Sequence, residues 1–289
     1  MNQTIPFREE GVINCQQLSL QRDYQTVLNG ISLDIPRGAV VGLVGRNGAG
    51  KSTLLRCLVG LTAPTTGTAH LLGCPSLELT EAVRASLGYV AQMPDLFEWM
   101  SVYEHLKTIG RAYPAWNEER CLILAARLNL PLGRAVRKLS GGDQQKLAVV
   151  LALSHDPELL ILDEPVASLD PMTRRDFMRS LFIGHDVPDD LPSSDVEPTI
   201  LISSHLLSDL ERVVSHVAFL RNGRLQLFDT WDAMLEHLRL VPNDTSGVPA
   251  SALICRNGAQ SVIDTRRAPH CVDSGHALSL DELFVELNS

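Results

Sequence analysis

The segment Gly45-Arg-Asn-Gly-Ala-Gly50-Lys51-Ser52 fits the pattern G-x-x-x-x-G-K-[ST] at every fixed position. Glycines let a backbone wrap closely and turn successive N–H groups toward anionic oxygens. A helix beginning near Lys51 would add the positive end of its dipole at the same point. Lys51 supplies a full charge for the β- and γ-phosphates of a nucleotide, and the Ser52 hydroxyl can ligate Mg²⁺. A second constellation, Leu159-Leu160-Ile161-Leu162-Asp163-Glu164, ends an apolar run in two carboxylates. Asp163 would reach the Mg²⁺, directly or through water, and Glu164 can hold and deprotonate an attacking water. Alone, an apolar strand ending in Asp-Glu is more often a solvated strand end. Beside a phosphate loop it gains a chemical purpose.

Such side chains need strands and helices to aim them. Apolar alternation marks strands at Val12–Leu18, Ile31–Ile35 and Ala39–Val44, the last followed by the glycine loop and a helix from Lys51 to about Gly60. Further strands are predicted at Thr68–Leu72 and Leu87–Ala91. The runs Leu159–Leu162 and Thr199–Ile202 lack polar alternation, as strands of a parallel sheet covered on both faces do. From Ser101 to about Arg137 the period becomes helical: Ser101 with Glu104 forms a capping box, Pro114 breaks the run, and Asn117 can cap a second helix. Asn222-Gly223 lies between Ala218–Leu220 and Leu225–Phe228 as a hairpin turn, and Asn257-Gly258 gives a second turn signal. Ser279-x-x-Glu282 opens a terminal amphipathic helix.

Between the two motifs lies Leu139-Ser140-Gly141-Gly142-Asp143-Gln144-Gln145-Lys146, just before an apolar helical run. Ser140-Gly141-Gly142 therefore forms a second helix N-terminus with exposed N–H groups, a second phosphate-binding surface. On these residues the chain resembles the nucleotide-binding subunits of ABC transporters. The segment is similar to that family's LSGGQ signature, with Asp143 in place of Gln, about twenty residues before the Asp163 strand. Other family elements follow in order: Tyr24, Gln92 after a strand, Ser168-Leu169-Asp170, and His205 after the Thr199–Ile202 strand. Together they span roughly residues 12–230.

The resemblance implies an α/β fold: a P-loop NTPase core with a mostly parallel sheet flanked by helices and an antiparallel β subdomain. An inserted α-helical signature subdomain would cover about 93–145 of a cassette of 1–240. Outside the resemblance, Pro242, Asn243, Asp244, Ser246 and Gly247 open a tail that reads by itself as a small C-terminal α+β appendix, 241–289. The resemblance also implies that Gly45, Arg46, Asn47, Gly48, Ala49, Gly50, Lys51, Ser52 and Thr53 hold the phosphates of ATP. Tyr24 would stack on adenine, while Ser52, Gln92 and Asp163 would serve Mg²⁺. Gln92 would also couple the γ-phosphate to a membrane partner. Glu164 would be the base, and His205 would touch the γ-phosphate and the attacking water. Ser140, Gly141, Gly142 and Asp170 would close on the ATP of a second cassette, head to tail. Asp143 suits the helix dipole, yet would repel the partner's triphosphate if it pointed inward.

Composition sets bounds. The 289 residues carry a net charge of −9 and are 45% hydrophobic, an ordinary globular balance that lacks the basic surface non-specific nucleic-acid binding requires. The segment Gly184–Pro198 carries −5 and residues 240–289 carry −3, which leaves the rest at −1. No apolar run approaches the ~20 residues of a membrane span. Six cysteines stand far apart without a Cys-x-x-Cys pair, the usage of a reduced compartment. Cys255, His270, Cys271 and His276 match no zinc spacing. The expectation is a cytoplasmic ATPase, peripheral on the membrane and docked on separate transmembrane subunits. Tyr113-Pro-Ala-Trp116-Asn117 and Ser279-Leu-Asp-Glu-Leu-Phe284 resemble exporter-type members. Two other readings stay open: a soluble ABC ATPase outside transport, and a nucleotide-gated clamp with little turnover.

Overall fold

A computed structural model describes residues 11–167, 197–205, 213–243, 247–269 and 275–288, with Arg174, Phe177, Met178, Leu210 and Cys271. Ser168-Leu169-Asp170 and residues 184–196 of the acidic segment lie outside these.

The central sheet contains β3 (Val40–Val44), β6 (Leu87–Val90), β7 (Leu159–Asp163), β8 (Thr199–Ser204), β9 (His216–Arg221) and β10 (Arg224–Thr230). Its strand order is β10-β9-β3-β8-β7-β6, parallel throughout except for the β9–β10 hairpin. Every residue of β7 and β8 is buried, which is why these strands read as unbroken apolar runs. Alternate residues serve two cores. Val41, Leu43, Ile161 and Leu201 face one, while Leu160, Leu162, Ile200 and Ile202 face the other.

The first core is closed by α1 (Lys51–Leu58) and by an antiparallel sheet of β1 (Ile13–Arg22), β2 (Gln25–Ile35), β4 (Thr66–Leu71) and β5 (Cys74–Pro75). Leu54, Leu55, Cys57 and Leu58 form the buried stripe of α1. After the short α2 (Glu81–Ala85), three helices close the other core: α3 (Val102–Gly110), α4 (Glu118–Arg127) and α5 (Gly141–Leu153). Each begins where its capping residue stands. Ser101 and Glu104 make the reciprocal capping box, Asn117 Oδ1 accepts Arg120 N–H at 2.9 Å, and Ser140 Oγ accepts Asp143 N–H at 3.1 Å.

Beyond α6 (Trp231–His237), the strands β11 (Leu238–Pro242), β12 (Leu253–Asn257), β13 (Gln260–Asp264) and β14 (His276–Ala277) form a third sheet, ordered β12-β13-β11-β14. Val241, Ala252, Ile263, Ala268 and Cys271 make a small core of its own. Its opposite face joins the main core through Leu240 and Val262, with Leu283 and Leu287 of α7 (Leu280–Asn288). Ser279 starts α7, its N–H and hydroxyl both donating to Glu282 at 2.8 Å. Arg266 ties this region back to β10, reaching Asp229 at 2.6 Å and Asp264 at 2.9 Å.

Candidate functional site

The parallel register brings the chemistry to one edge. Val44 pairs with Ser204, Asp163 with Ser203, and Val90 with Leu162. The phosphate loop, Asp163-Glu164, Ser203-Ser204-His205 and Gln92 therefore all leave the carboxyl ends of neighbouring strands, where open α/β sheets bind ligands. Backbone geometry shapes the loop. A Cβ at Gly45 would collide with the Leu220 carbonyl, and Gly50 holds φ +104° as it turns into α1. No side chain caps α1, so its first turn, with Lys51, Ser52 and Thr53, keeps its amides for an anion. The β9–β10 turn, with Asn222 and Gly223 both at positive φ, supports the loop from behind: Gly223 N–H donates to Ala49 O at 2.9 Å.

Opposite the loop, β7 delivers two carboxylates with different partners. Asp163 Oδ1 accepts from Ser203 Oγ at 2.8 Å and from Ser52 Oγ at 3.0 Å. Burial raises its carboxyl pKa, opposed by these two hydroxyls. Glu164 follows in the left-handed region, at φ +48°, a strain that non-glycine residues bear chiefly at functional sites. Ser203 Oγ accepts the Glu164 N–H at 2.9 Å and so fixes this turn. The Glu164 carboxylate is buried between two cations or potential cations: Oε1 lies 3.2 Å from Lys51 Nζ, and Oε2 lies 2.6 Å from His205 Nδ1. The Lys51 contact is an ion pair off hydrogen-bond alignment, because Oε1 has no hydrogen-bond partner. Lys51 Nζ instead donates to Gly45 O at 2.7 Å.

Residues 28–167 match the ABC transporter family profile. The chain is 32% identical over 222 residues to the bacitracin transport ATP-binding protein BcrA of Enterococcus faecalis, covering 75% of this chain and 68% of that protein. The chain belongs to the ABC transporter ATP-binding family. It is also 36% identical to the Nod factor export ATP-binding protein I of Cupriavidus pinatubonensis, over 74% of this chain and 64% of the relative. It thus spans about two thirds of these relatives' length. Among solved structures, an ATP-binding subunit of an ABC transporter superposes with a TM-score of 0.68 at 29% identity, over 78% of this chain and 92% of its own. A dimeric ATP-binding cassette bound to ADP and phosphate shares the fold, at a TM-score of 0.65 and 21% identity.

In this ABC ATPase the loop and the carboxylates just described lie together at one edge of the sheet. Its other motif residues sit further out. Tyr24 occupies the two-residue β1–β2 turn, with Asp23 at φ +49° and Tyr24 at +63°, and its ring is wholly exposed. Gln92 is an exposed residue two positions beyond β6. Ser140-Gly141-Gly142 opens α5, and the hydrogen bonds of Ser140 and Asp143 close within that helix's own first turns. Asp143 lies 3.3 Å from Lys146 Nζ, so its charge has an internal partner. Asp170 lies outside the described residues. Sequence reasoning missed Ser203 as the residue that holds both carboxylates in place. Its signal was a polar residue closing an otherwise apolar strand.

Proposed function

We propose that the chain couples Mg-ATP hydrolysis to export through separate membrane subunits. It works as one of two cassettes that close head to tail around ATP at the cytoplasmic face. The observation that carries this reading is the Glu164 carboxylate, buried between Lys51 and His205 beside an open phosphate loop. Lys51 moves its charge from Glu164 to the β- and γ-phosphates as ATP enters. Glu164, with Oε2 held by His205, accepts the proton of the water that attacks the γ-phosphorus. His205 keeps the carboxylate oriented and stabilises charge as it develops. Ser52 and Asp163 suit Mg²⁺: two hard oxygens converge within 3.0 Å, and a cation would offset the cost of burying that carboxylate. Bound there, the ion neutralises phosphate charge. Gln92 would join the residues that hold the ion when ATP binds, Tyr24 stacks on the adenine, and Ser140, Gly141, Gly142 and Asp170 meet the partner cassette's ATP.

Docking on membrane subunits is supported by the surface beside Gln92. Met93 and Trp99 are 84% and 74% exposed, and Phe97 and Tyr103 extend the same segment. A groove of about 200 Å³ continues it between α3 and α4, lined by Tyr103, Lys107, Trp116 and Leu122. Among the described residues no helix is long and apolar enough to cross a membrane, so a spanning partner fits. The relative named for bacitracin transport supports a transport role, and the one named for Nod factor export supports the direction. Residues 241–289 act as an appendix to a cassette of 1–240, supported by the third sheet, which starts at Leu238, and by the small core on its outer face.

The test is Glu164→Gln. It should bind ATP, lose about 10²–10⁴-fold in turnover, and run as an ATP-dependent dimer on size exclusion. Undiminished hydrolysis would remove Glu164 from its role. Recovery of the chain from detergent-solubilised membranes with a multi-span protein tests the partner.

A further inference from the structure

Two buried polar side chains outside the reacting centre grip the segment that carries Gln92. Gln145, 4% exposed on α5, donates from Nε2 to Ala91 O at 3.3 Å, the carbonyl just before Gln92. His105, 2% exposed on α3, accepts Phe97 N–H at Nε2, 3.0 Å away. Acceptance at Nε2 places the ring's one proton on Nδ1, and that nitrogen is buried without a hydrogen-bond partner. Burial holds the ring's pKa below its ordinary value, so it stays neutral and able to accept. A buried orphan nitrogen is destabilising, whereas an aliphatic residue would fill the same space without that cost. The bond to Phe97 is what the histidine adds. The far end of the segment is fastened through its backbone: Arg137 N–H donates to Glu98 O at 3.2 Å and Val136 N–H to Met100 O at 2.9 Å. Residues 136–139 then lead directly into the signature Ser140-Gly141-Gly142.

All four attachments join residues 91–100 to the side of the molecule that carries the signature. Gln145 stands near the start of α5, the helix whose N-terminus is that signature. We infer that Gln145 and His105 are positioning residues that bind the Gln92 segment to the packed helices α3 and α5, the second of which begins at the signature, as one mechanical piece. Engagement of a subunit's signature with its partner's ATP then sets Gln92 over that subunit's own ATP. The two sites are coupled through Gln145 and His105. This rests on the two-cassette reading above.

Hydrogen exchange of the Glu164→Gln protein with ATP tests the link, together with hydrolysis at saturating ATP in the otherwise unaltered chain. Gln145→Met and His105→Leu remove one anchor each, and His105→Gln returns an acceptor to the Nε2 position. ATP affinity and dimerisation should stay within about twofold, and residues 140–146 should still gain protection on dimerisation. Residues 92–100 should gain it only where both anchors are intact. At saturating ATP, turnover of the otherwise unaltered chain should fall severalfold in Gln145→Met and His105→Leu, and recover in His105→Gln. Should Gln145→Met not fold, His105→Leu reads the second anchor independently. If Glu164→Gln forms no ATP-dependent dimer, the two-cassette reading fails and this inference with it. If the dimer forms and the anchor variants keep both the protection of 92–100 and the turnover at saturating ATP, the inference alone is overturned.

Discussion

Ser203 organises both carboxylates of the site from one hydroxyl, donating to Asp163 and accepting the Glu164 N–H. Ser203→Ala leaves that buried N–H unpaired, which costs about 1–3 kcal/mol. The urea midpoint should fall, and kcat should fall further than the ATP affinity. A kcat unchanged per folded molecule would show that Glu164 holds its place without Ser203. Tyr24 is the opposite case, fully exposed on a turn that no packing supports. Tyr24→Ala should therefore leave stability within about 0.5 kcal/mol. Base–aromatic stacking is worth about 1–3 kcal/mol, so KM for ATP should rise roughly 5- to 150-fold. An unchanged KM would remove Tyr24 from the adenine site. The difference between these residues also explains what the sequence revealed. Lys51 and Ser52 sit inside one short local pattern, and Asp163-Glu164 ends one apolar strand. Ser203 meets Glu164 from 39 residues away and Gln145 meets Ala91 from 54, separations that no local spacing encodes.

Among the elements, the buried parallel strands were the most legible, because covering both faces leaves only apolar side chains. The antiparallel sheet was less so. β1 runs on to Arg22, past the expected Leu18, and β2 starts at Gln25 where the apolar pattern begins only at Ile31. The ladder continues where burial stops, so exposed polar residues remain in strand. Two-residue strands such as β5 and β14 exist only through their pairing. Three helices, α3, α4 and α7, were announced by their caps, although the packing of α7 was not; α2 and α6, also capped, went unread. Leu283 and Leu287 enter the main core, so Leu283→Ala should cost about 2–5 kcal/mol. Urea denaturation followed by circular dichroism reads that loss, while ATPase per folded molecule should be unchanged. A negligible loss would show that α7 stands apart from the core.

Across the described residues, three histidines shape the response to mild acid. Burial lowers the pKa values of His105, His155 and His216 below the ordinary 6.5. The unfolded chain therefore takes up protons near that pH which the native chain still refuses. Stability is full above about 6.5, falls as pH drops below it, and levels off beneath the lowered native values. The urea midpoint should be lower at pH 5.5 than at 7.5, and a midpoint that rises on acidification would overturn this. The net charge of −9 lies mainly in the acidic segment and the C-terminal region, so the body that receives ATP is almost neutral. Its buried lysine is neutral in effect as well: Glu164, 3.2 Å from Lys51, is a built-in counter-ion. On the proposed reading, ATP displaces a built-in anion rather than bulk salt, and Glu164 comes free as the base only as its substrate arrives. Removing that anion, as Glu164→Gln does, both deletes the base and leaves the lysine without a rival for phosphate. Catalytic arrest and tighter nucleotide capture are thus two faces of one substitution.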